Sequence, residues 1–223
     1  MKYTNLKEKA YLIIKNKIID CKLMPGEMID EQELIKEIEV SRTPIREALN
    51  KLENEKLIII YPRRGIFVKS ITEKDIYDIF EVRKIIEPYA AKLATHTIKT
   101  EDLEYFYNFY YSKDQYSLIE HLDIGRKFHT LIYNSTYNQY LKTIALNIYD
   151  QCSRIRHLLR IAYKETGEFT HYEGHLEIIK ALMKRDKKKV EETMRTHIES
   201  LEKSCSIIPY KYNLEISELK EIM

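Results

Sequence analysis

The chain has 223 residues, of which 44% are hydrophobic and 32% charged, and this composition is typical of a globular protein with a core. Its longest uninterrupted apolar stretch, residues 57–61, is too short to span a bilayer, and the N-terminus lacks the apolar segment of a secretory signal. These features argue against a membrane-embedded or secreted protein, and we expect a cytoplasmic location with no membrane partner.

The net charge is only +2, but its distribution is uneven. Residues 1–70 hold 14 Lys and Arg against 11 Asp and Glu, a balance of +3, whereas residues 71–223 hold 23 against 24, a balance of −1. A basic excess on one segment favours nucleic acid as its partner, although an imbalance of this size is supporting evidence only.

Apolar residues at helical spacing predict a mainly helical protein, with three helices in the first quarter of the chain. The first covers residues 5–21 and ends before the Pro-Gly pair at residues 25–26. A short second helix follows Asp30, whose side chain can cap it. The third begins near Ser41 and should run to about residue 55.

The third helix opens with the most informative motif of the chain, Ser-Arg-Thr-Pro-Ile-Arg-Glu-Ala-Leu at residues 41–49. Ser41 or Thr43 can cap this helix with a side-chain oxygen. Pro44 falls in the first turn, where a missing N–H costs nothing. The motif therefore predicts a helix start at Ser41.

Two arginines give this helix its predicted function. Arg42 and Arg46 are four residues apart and therefore point off one face of the helix. The opposite face is apolar and would hold the helix on a core; it consists of Ile45, Ala48, Leu49 and Leu52. Arginines at a helix N-terminus suit phosphate oxygens and the guanine edges beyond them, so we predict that this helix binds DNA.

Two short apolar segments, residues 57–61 and 66–68, follow and predict a β-hairpin in which Gly65 supplies the turn. Helix, helix-turn-helix and hairpin in this order predict a winged helix-turn-helix, whose third helix enters the major groove. Arg63 and Arg64 would lie at the wing tip, where they could touch phosphates or the neighbouring minor groove. Two arginines in a turn are more often simply solvated. Because the same predicted domain also carries Arg42 and Arg46 on its third helix, we favour DNA contact.

The remainder of the chain predicts helices only. Thr72 opens a new helix, with acidic residues in its first turn. We expect breaks near residues 95–100, 112–115, 135–139 and 165–169, and a solvated charged junction at 184–189. The predicted organisation is a DNA-binding domain at residues 1–70, an all-helical bundle of six to seven helices at 71–205, and a tail at 206–223. The tail carries a short amphipathic helix that docks either on its own subunit or on a partner.

With these elements placed, the chain resembles the GntR superfamily of bacterial regulators, in its FadR-like branch with an FCD-type effector domain. The resemblance covers roughly residues 8–203. In the first half it rests on Pro25-Gly26, residues 41–49 and Arg64-Gly65. In the second half it rests on Arg-Lys-Ile-Ile-Glu at residues 83–87, Phe128-His129, His175 and His197.

The resemblance implies a homodimer that binds a short palindromic DNA operator and responds to an effector, typically an organic acid, in the helical domain. It places Arg42, Thr43 and Arg46 on the operator, with Pro44 in the same turn and Gly65 in the wing. Gln32, on the second helix, matches a position that could contact phosphate. Together with the residues inferred above, the expected DNA-binding set is Gln32, Ser41, Arg42, Thr43, Pro44, Arg46, Arg63, Arg64 and Gly65.

Many FCD domains hold a divalent metal through one Asp and three His. His129, His175 and His197 match the three imidazoles, whereas the residue four before His129 is Gly125 rather than Asp. Asp123 lies six residues before His129 and, at about 100° per residue, points away from the histidine face.

Three outcomes remain open for this centre. Three histidines could hold Zn or Ni with water or a bound carboxylate as the fourth ligand. His171, one turn before His175, could replace the missing ligand. Alternatively, the site binds no metal, and the histidines bind an organic acid directly or merely pack.

Arg83 and Glu87 lie on one face of the first helix of the effector domain. An ion pair between them is one interpretation. The other places Arg83 in a cavity, where its guanidinium would bind an effector carboxylate through a two-pronged contact. A cationic cavity suits acid effectors.

The leading hypothesis is therefore a ligand-responsive transcription regulator without enzymatic activity. A metal-dependent hydrolase is the alternative, because histidine clusters also activate water. The sequence shows no acid/base carboxylate spaced beside the histidines, no nucleophile elbow and no phosphate loop. A metabolite or metal sensor that acts through protein partners would leave the arginine helix and the wing unexplained.

Overall fold

The computed structural model describes residues 5–112, 115–163 and 173–205. Contacts divide the chain into two compact units, Met1–Ile71 and Thr72–Met223. The protein is mainly helical, with one small sheet, as the sequence predicts. Within the described residues, no helix has the length and apolar character needed to cross a membrane.

The N-terminal unit is a winged helix-turn-helix, as predicted. Its elements are α1 (Leu6–Ile19), β1 (Met28–Ile29), α2 (Glu31–Ile38), α3 (Arg42–Asn54), β2 (Ile58–Tyr61) and β3 (Gly65–Val68). The apolar face of α3 is buried against α1 and the sheet through Ile45, Ala48, Leu49 and Leu52. Burial of this face leaves the arginine-bearing face of α3 outward.

The wing differs from the prediction in two respects. A third strand, β1, pairs with β3 through Met28 opposite Phe67, and the sheet order is β1-β3-β2. Gly65 does not form the turn, because it is the first residue of β3 and lies opposite Tyr61. Arg63 instead adopts the left-handed conformation in the turn, with φ 66°, although Gly65 also has a positive φ of 120°.

The two helix starts of the helix-turn-helix motif are capped differently. The Asp30 side chain accepts a hydrogen bond of 2.7 Å from the backbone N–H of Gln32, as predicted for α2. Ser41 occupies the N-cap position of α3, but its side chain makes no capping hydrogen bond, and Thr43 lies inside the helix. Pro44 sits at the third helical position and has no N–H, so it removes one of the two amides that the Ser41 hydroxyl could cap.

The C-terminal unit contains six helices within the described residues. They are α4 (Glu73–Ala94), α5 (Thr100–Tyr111), α6 (Leu118–Asn134), α7 (Gln139–Tyr163), α8 (Glu173–Met183) and α9 (Lys187–Cys205). Thr72 and Asp75 form a capping box at the start of α4, which confirms the predicted opening of this helix. The predicted break at 165–169 and the tail at 206–223 lie outside the described residues.

Helix α4 packs against α6, α7 and α9, and α8 packs against α5 and α9. The charged junction between α8 and α9 is not wholly solvated, contrary to expectation. Arg185 there donates hydrogen bonds of 2.8 Å to the backbone oxygens of Thr95 and Ile98 and one of 3.1 Å to the Thr100 hydroxyl. The inward faces of α6, α8 and α9 bring His129, His175 and His197 together.

Candidate functional site

The DNA-binding residues predicted from the sequence lie on the surface of the N-terminal unit. Gln32, Ser41, Arg42, Thr43, Arg46, Arg63 and Arg64 are exposed, and Pro44 and Gly65 are half-buried. The first helical turn of α3 carries Arg42 and Thr43, Arg46 lies one turn further on, and Gln32 lies in the first turn of α2.

A groove between α3 and the wing brings part of this set together. Arg46, Arg63 and Gly65 line it, with Asn50 of α3 and Tyr61 of β2. The remaining predicted residues lie outside this groove. Two separated elements of the chain thus present cationic side chains to one surface depression, which is a suitable shape for a nucleic-acid backbone.

Arg46 is held loosely within this surface. Its Nε lies 3.5 Å from an Oε atom of Glu31, and 62% of its side chain is exposed. An exposed ion pair at this distance contributes little to stability, so the arginine can leave Glu31 at little cost in free energy. Arg46 therefore remains able to contact an external acceptor.

The three predicted histidines converge inside the C-terminal unit. His129 of α6, His175 of α8 and His197 of α9 are all buried, and their candidate ligand atoms lie within 4.8 Å of one another. The Nε2 atoms of His129 and His175 are 3.2 Å apart. Adjacent ligand nitrogens around a tetrahedral metal with bonds of about 2.0–2.1 Å are separated by about 3.3 Å, so this spacing fits a metal.

A buried carboxylate orients the first of these imidazoles. Nδ1 of His129 lies 2.9 Å from Oε2 of Glu87, and the other carboxylate oxygen accepts a hydrogen bond from Nε of Arg83. Both Arg83 and Glu87 are almost fully buried. A proton on Nδ1 facing the carboxylate leaves Nε2 of His129 as the lone-pair nitrogen, which is the arrangement of a carboxylate–histidine–metal site.

Burial sets the protonation states of the cluster. Desolvation lowers the pKa of His129, His175 and His197 below the usual histidine value, so all three imidazoles are neutral near pH 7. Burial alone would raise the pKa of Glu87, but the positive charge of Arg83 more than offsets it and holds that pKa far below its usual range. The histidines are thus in the form that binds metals, and the carboxylate is ionised.

The fourth ligand of the family pattern is missing from this centre. Gly125 provides no side chain, and Asp123 is exposed on the outer side of α6, as the helical spacing predicts. His171, the predicted replacement ligand, lies outside the described residues. In place of a carboxylate, the space above Gly125 is bordered by the guanidinium of Arg156, from α7. Three imidazoles fit a divalent metal, whereas a complete set of protein ligands is not present among the described residues.

Models of known families cover both units of the chain. The model described as bacterial regulatory proteins, gntR family, matches residues 6–68, and the FCD domain model matches residues 78–200. The chain belongs to the GntR family. Its C-terminal unit is an FCD domain, which confirms the resemblance inferred from the sequence motifs.

Relatives of this GntR protein carry the names of transcription regulators. It is 29% identical to the Nta operon transcriptional regulator of Aminobacter aminovorans over 178 residues, which cover 78% of this chain and 82% of that protein. It is 26% identical to the HTH-type transcriptional repressor RspR of Escherichia coli over 208 residues, covering 88% and 87% of the two chains.

Solved structures show the same fold. McbR/YncC of E. coli matches with a TM-score of 0.81 at 19% identity, over 94% of this chain and 100% of that chain. A GntR regulator from Rhodococcus sp. RHA1 matches with a TM-score of 0.73 at 19% identity, over 89% and 96%. The family models and the named relatives show that the protein is a transcription regulator of the GntR/FCD type rather than an enzyme, and they give no support to the hydrolase alternative.

Three residues of the histidine centre were not assigned by sequence analysis. Glu87 belongs to the motif at residues 83–87, where its spacing predicts only a pair with Arg83. Its contact with His129 could not be predicted, because His129 lies on a different helix. Arg156 gave no signal, because charged residues on an amphipathic helix are usually solvated. Gly174 would place an added Cβ 2.5 Å from Nδ1 of His197, so it permits the close approach of α8 and α9. Only the glycine next to a predicted ligand could have been noticed beforehand.

Proposed function

We propose that this GntR protein is a cytoplasmic regulator that binds a short palindromic operator as a homodimer and responds to a small organic acid. Residues 1–70 would bind DNA, and residues 71–205 would bind the effector. The observation that supports this best is the exposed arginine face of α3 beside the wing groove. A helix with one buried apolar face and one outward cationic face is suited to the major groove.

Each predicted contact has a distinct role in this proposal. Arg42 and Arg46 discriminate bases, because a guanidinium can bond both acceptors of a guanine edge. The backbone at Ser41, Thr43 and Pro44 brings the start of α3 against phosphates. Gln32, Arg63 and Arg64 add phosphate contacts, and the positive φ of Gly65 shapes the wing that carries the two arginines.

Exposed apolar side chains on α4 support the homodimer. Ile85 is 68% exposed and Tyr89 53%, and the two are four residues apart, so they lie on one face of the helix. An apolar stripe on a helix is covered when a second copy of the chain packs against it. Dimer symmetry then presents two α3 helices to successive half-sites.

The effector site is proposed at the histidine centre. His129, His175 and His197 would hold Zn or Ni, with Glu87 fixing the orientation of His129. Such an ion supplies a positive centre that an effector carboxylate can coordinate. Arg83, proposed from the sequence as an effector contact, has described hydrogen bonds to Glu87 and to Sγ of Cys152. Its direct contact with an effector stays a prediction.

The DNA-binding proposal is tested by replacing Arg46 with Ala. The operator is first selected from random duplexes with the wild-type protein, and affinities are then measured by fluorescence anisotropy at fixed salt. We expect the variant to bind the selected site about 5- to 150-fold more weakly and to lose preference over a scrambled site.

Lys188→Ala removes one exposed positive charge from α9 and is the matched control. It should retain wild-type affinity and specificity. Unchanged specificity in Arg46→Ala would mean that another element reads the operator.

A further inference from the structure

The guanidinium of Arg156, on α7, borders the position from which a side chain at residue 125 would project. A Cβ atom built on Gly125 would lie 3.4 Å from Nη2 and 3.5 Å from Nη1 of Arg156, and 3.5 Å from Cε1 of His175. A negative side chain at residue 125 would therefore meet a guanidinium directly. The exchange of Asp for Gly leaves this guanidinium beside the histidines without that anion.

No carboxylate neutralises Arg156 among the residues that the structure describes. Arg156 is only 6% exposed, its Nη1 donates a hydrogen bond of 2.9 Å to the Tyr149 hydroxyl, and its buried Nε has no acceptor. The two buried carboxylates of the unit are engaged elsewhere, Glu87 with Arg83 and Asp150 with Arg126. Burying a cation without a counter-charge is unfavourable, so the site is arranged for an anion that comes from outside.

Two further polar groups beside this guanidinium are also without partners. Nδ1 of His175 and the hydroxyl of Tyr110 are buried and make no hydrogen bond among the described residues. The ring of Tyr110 stacks on that of His175, with centroids 4.9 Å apart and an angle of 22° between the planes. Several unpaired polar groups in one region of a protein interior are typical of a ligand site rather than of a structural core.

We propose that the carboxylate of a small organic acid binds Arg156 above Gly125, in the place of the missing aspartate. The proposal deepens the effector site described above and rests on it. The Nε–Nη2 edge of the guanidinium is the part not used by Tyr149, and it matches the two oxygens of a carboxylate. Arg156 is thus an anion-binding residue of this chain, and the nearby Arg83 is paired with Glu87, which contacts His129.

Substitution of Gly125 provides the test, because it leaves Arg156 in place. Gly125→Asp supplies an internal carboxylate that should pair with Arg156 and exclude the external anion. Gly125→Ala adds the Cβ without a charge, so it separates the effect of bulk beside Arg156 from the effect of the carboxylate. Arg156→Gln removes the cation and retains hydrogen-bonding groups.

Sodium acetate is the probe, compared with sodium chloride at equal ionic strength. Thermal unfolding of the full chain is followed in chelator-treated and zinc-loaded protein. Acetate should raise the Tm of the wild type. In Arg156→Gln the apparent affinity for acetate should be about 10- to 100-fold lower. Gly125→Asp should lose the response and, without acetate, unfold at a higher Tm than Gly125→Ala.

An acetate response that survives in Gly125→Asp, or that is absent from the wild type, would overturn the proposal. A larger response to inorganic phosphate than to acetate would overturn the assignment to a carboxylate. If Arg156→Gln fails to fold, the wild type and the two Gly125 variants still test the proposal through their acetate responses and their Tm values without acetate. No DNA is present in this experiment, so its result is independent of whether Arg46 binds the operator.

Discussion

Two glycines of the histidine centre have opposite steric surroundings. At Gly125 an added methyl group would meet its neighbours at ordinary van der Waals distances of 3.4–3.5 Å. At Gly174 the same group would lie 2.5 Å from Nδ1 of His197 and 3.1 Å from its Cβ and Cγ. The spacing between α8 and α9, and with it the position of His197, therefore depends on the absence of a side chain at residue 174.

We predict that Gly174→Ala destabilises the protein by about 1–3 kcal/mol, because the added Cβ forces the two helices apart. Helix propensity acts in the opposite sense, since Ala is favoured over Gly by up to about 1 kcal/mol. Urea unfolding measures the difference. Gly125→Ala, in the middle of α6, is the control and should be neutral or stabilising. Equal stability of the two variants would contradict the proposed role of Gly174.

At the scale of elements, one arginine links the α8–α9 junction to the connection between α4 and α5. Arg185 follows α8 and donates to the backbone oxygen of Thr95, the C-cap of α4, to that of Ile98 in the following turn, and to the hydroxyl of Thr100 at the start of α5. The last carbonyls of a helix have no partner within the helix, so this guanidinium serves as their cap. One side chain thus joins the segment after α8 to the α4–α5 connection, which lies about 90 residues earlier in the chain.

Arg185→Ala should lower the free energy of unfolding by about 2 kcal/mol, because hydrogen bonds to a charged donor are lost and partly buried carbonyl oxygens remain unpaired. Chemical denaturation followed by circular dichroism provides the value. Lys184→Ala removes the neighbouring positive charge, which is exposed, and should change stability by less than about 0.5 kcal/mol. A similar effect of both substitutions would point to net charge rather than capping.

The sequence allowed the helices, the wing and the three histidines to be predicted, because each depends on local spacing or on a family motif. Strand β1 could not be predicted, since it is two residues long and owes its conformation to β3. Arg185 looked solvated for a similar reason: its acceptors are about 90 residues away along the chain. Arg156 meets Gly125 only after α6 and α7 pack together. Local sequence patterns therefore predicted the elements but not the contacts between segments that are distant along the chain.

For the molecule as a whole, acid should affect the two units differently. All seven histidines lie in the C-terminal unit, and none lies in residues 1–71. His175 and His197 have pKa values far below 6.5 because of burial, and the pKa of His157 is lowered to about 4. These groups remain neutral in the folded protein at a pH where they would be protonated in the unfolded chain.

We therefore predict that the C-terminal unit loses stability as the pH falls below 6.5. The sign follows from linkage, since the unfolded chain binds more protons in this window and stability falls with the pH. Each such imidazole contributes up to about 1.4 kcal/mol per pH unit. Glu87 does not contribute in this pH window. Its lowered pKa stabilises the folded protein, and that stabilisation is lost only as the pH falls below about 4.5.

Hydrogen exchange of chelator-treated protein at pH 7.5 and 5.5, with exchange times corrected for intrinsic rates, tests this prediction. Protection should fall in α6, α8 and α9 and stay constant in α1 and α3, which serve as the internal control. A uniform loss over both units would indicate general acid destabilisation rather than buried imidazoles.

The unequal capping of α2 and α3 has a consequence for how the regulator is built. Helix α2 satisfies its first amides internally through Asp30, whereas α3 begins at Ser41 without a side-chain cap. The acceptor that completes the start of α3 is thus left to be supplied from outside, and a DNA phosphate is suited to that position. One helix start of this motif is therefore capped from within the protein, whereas the other can gain stability from a bound anion.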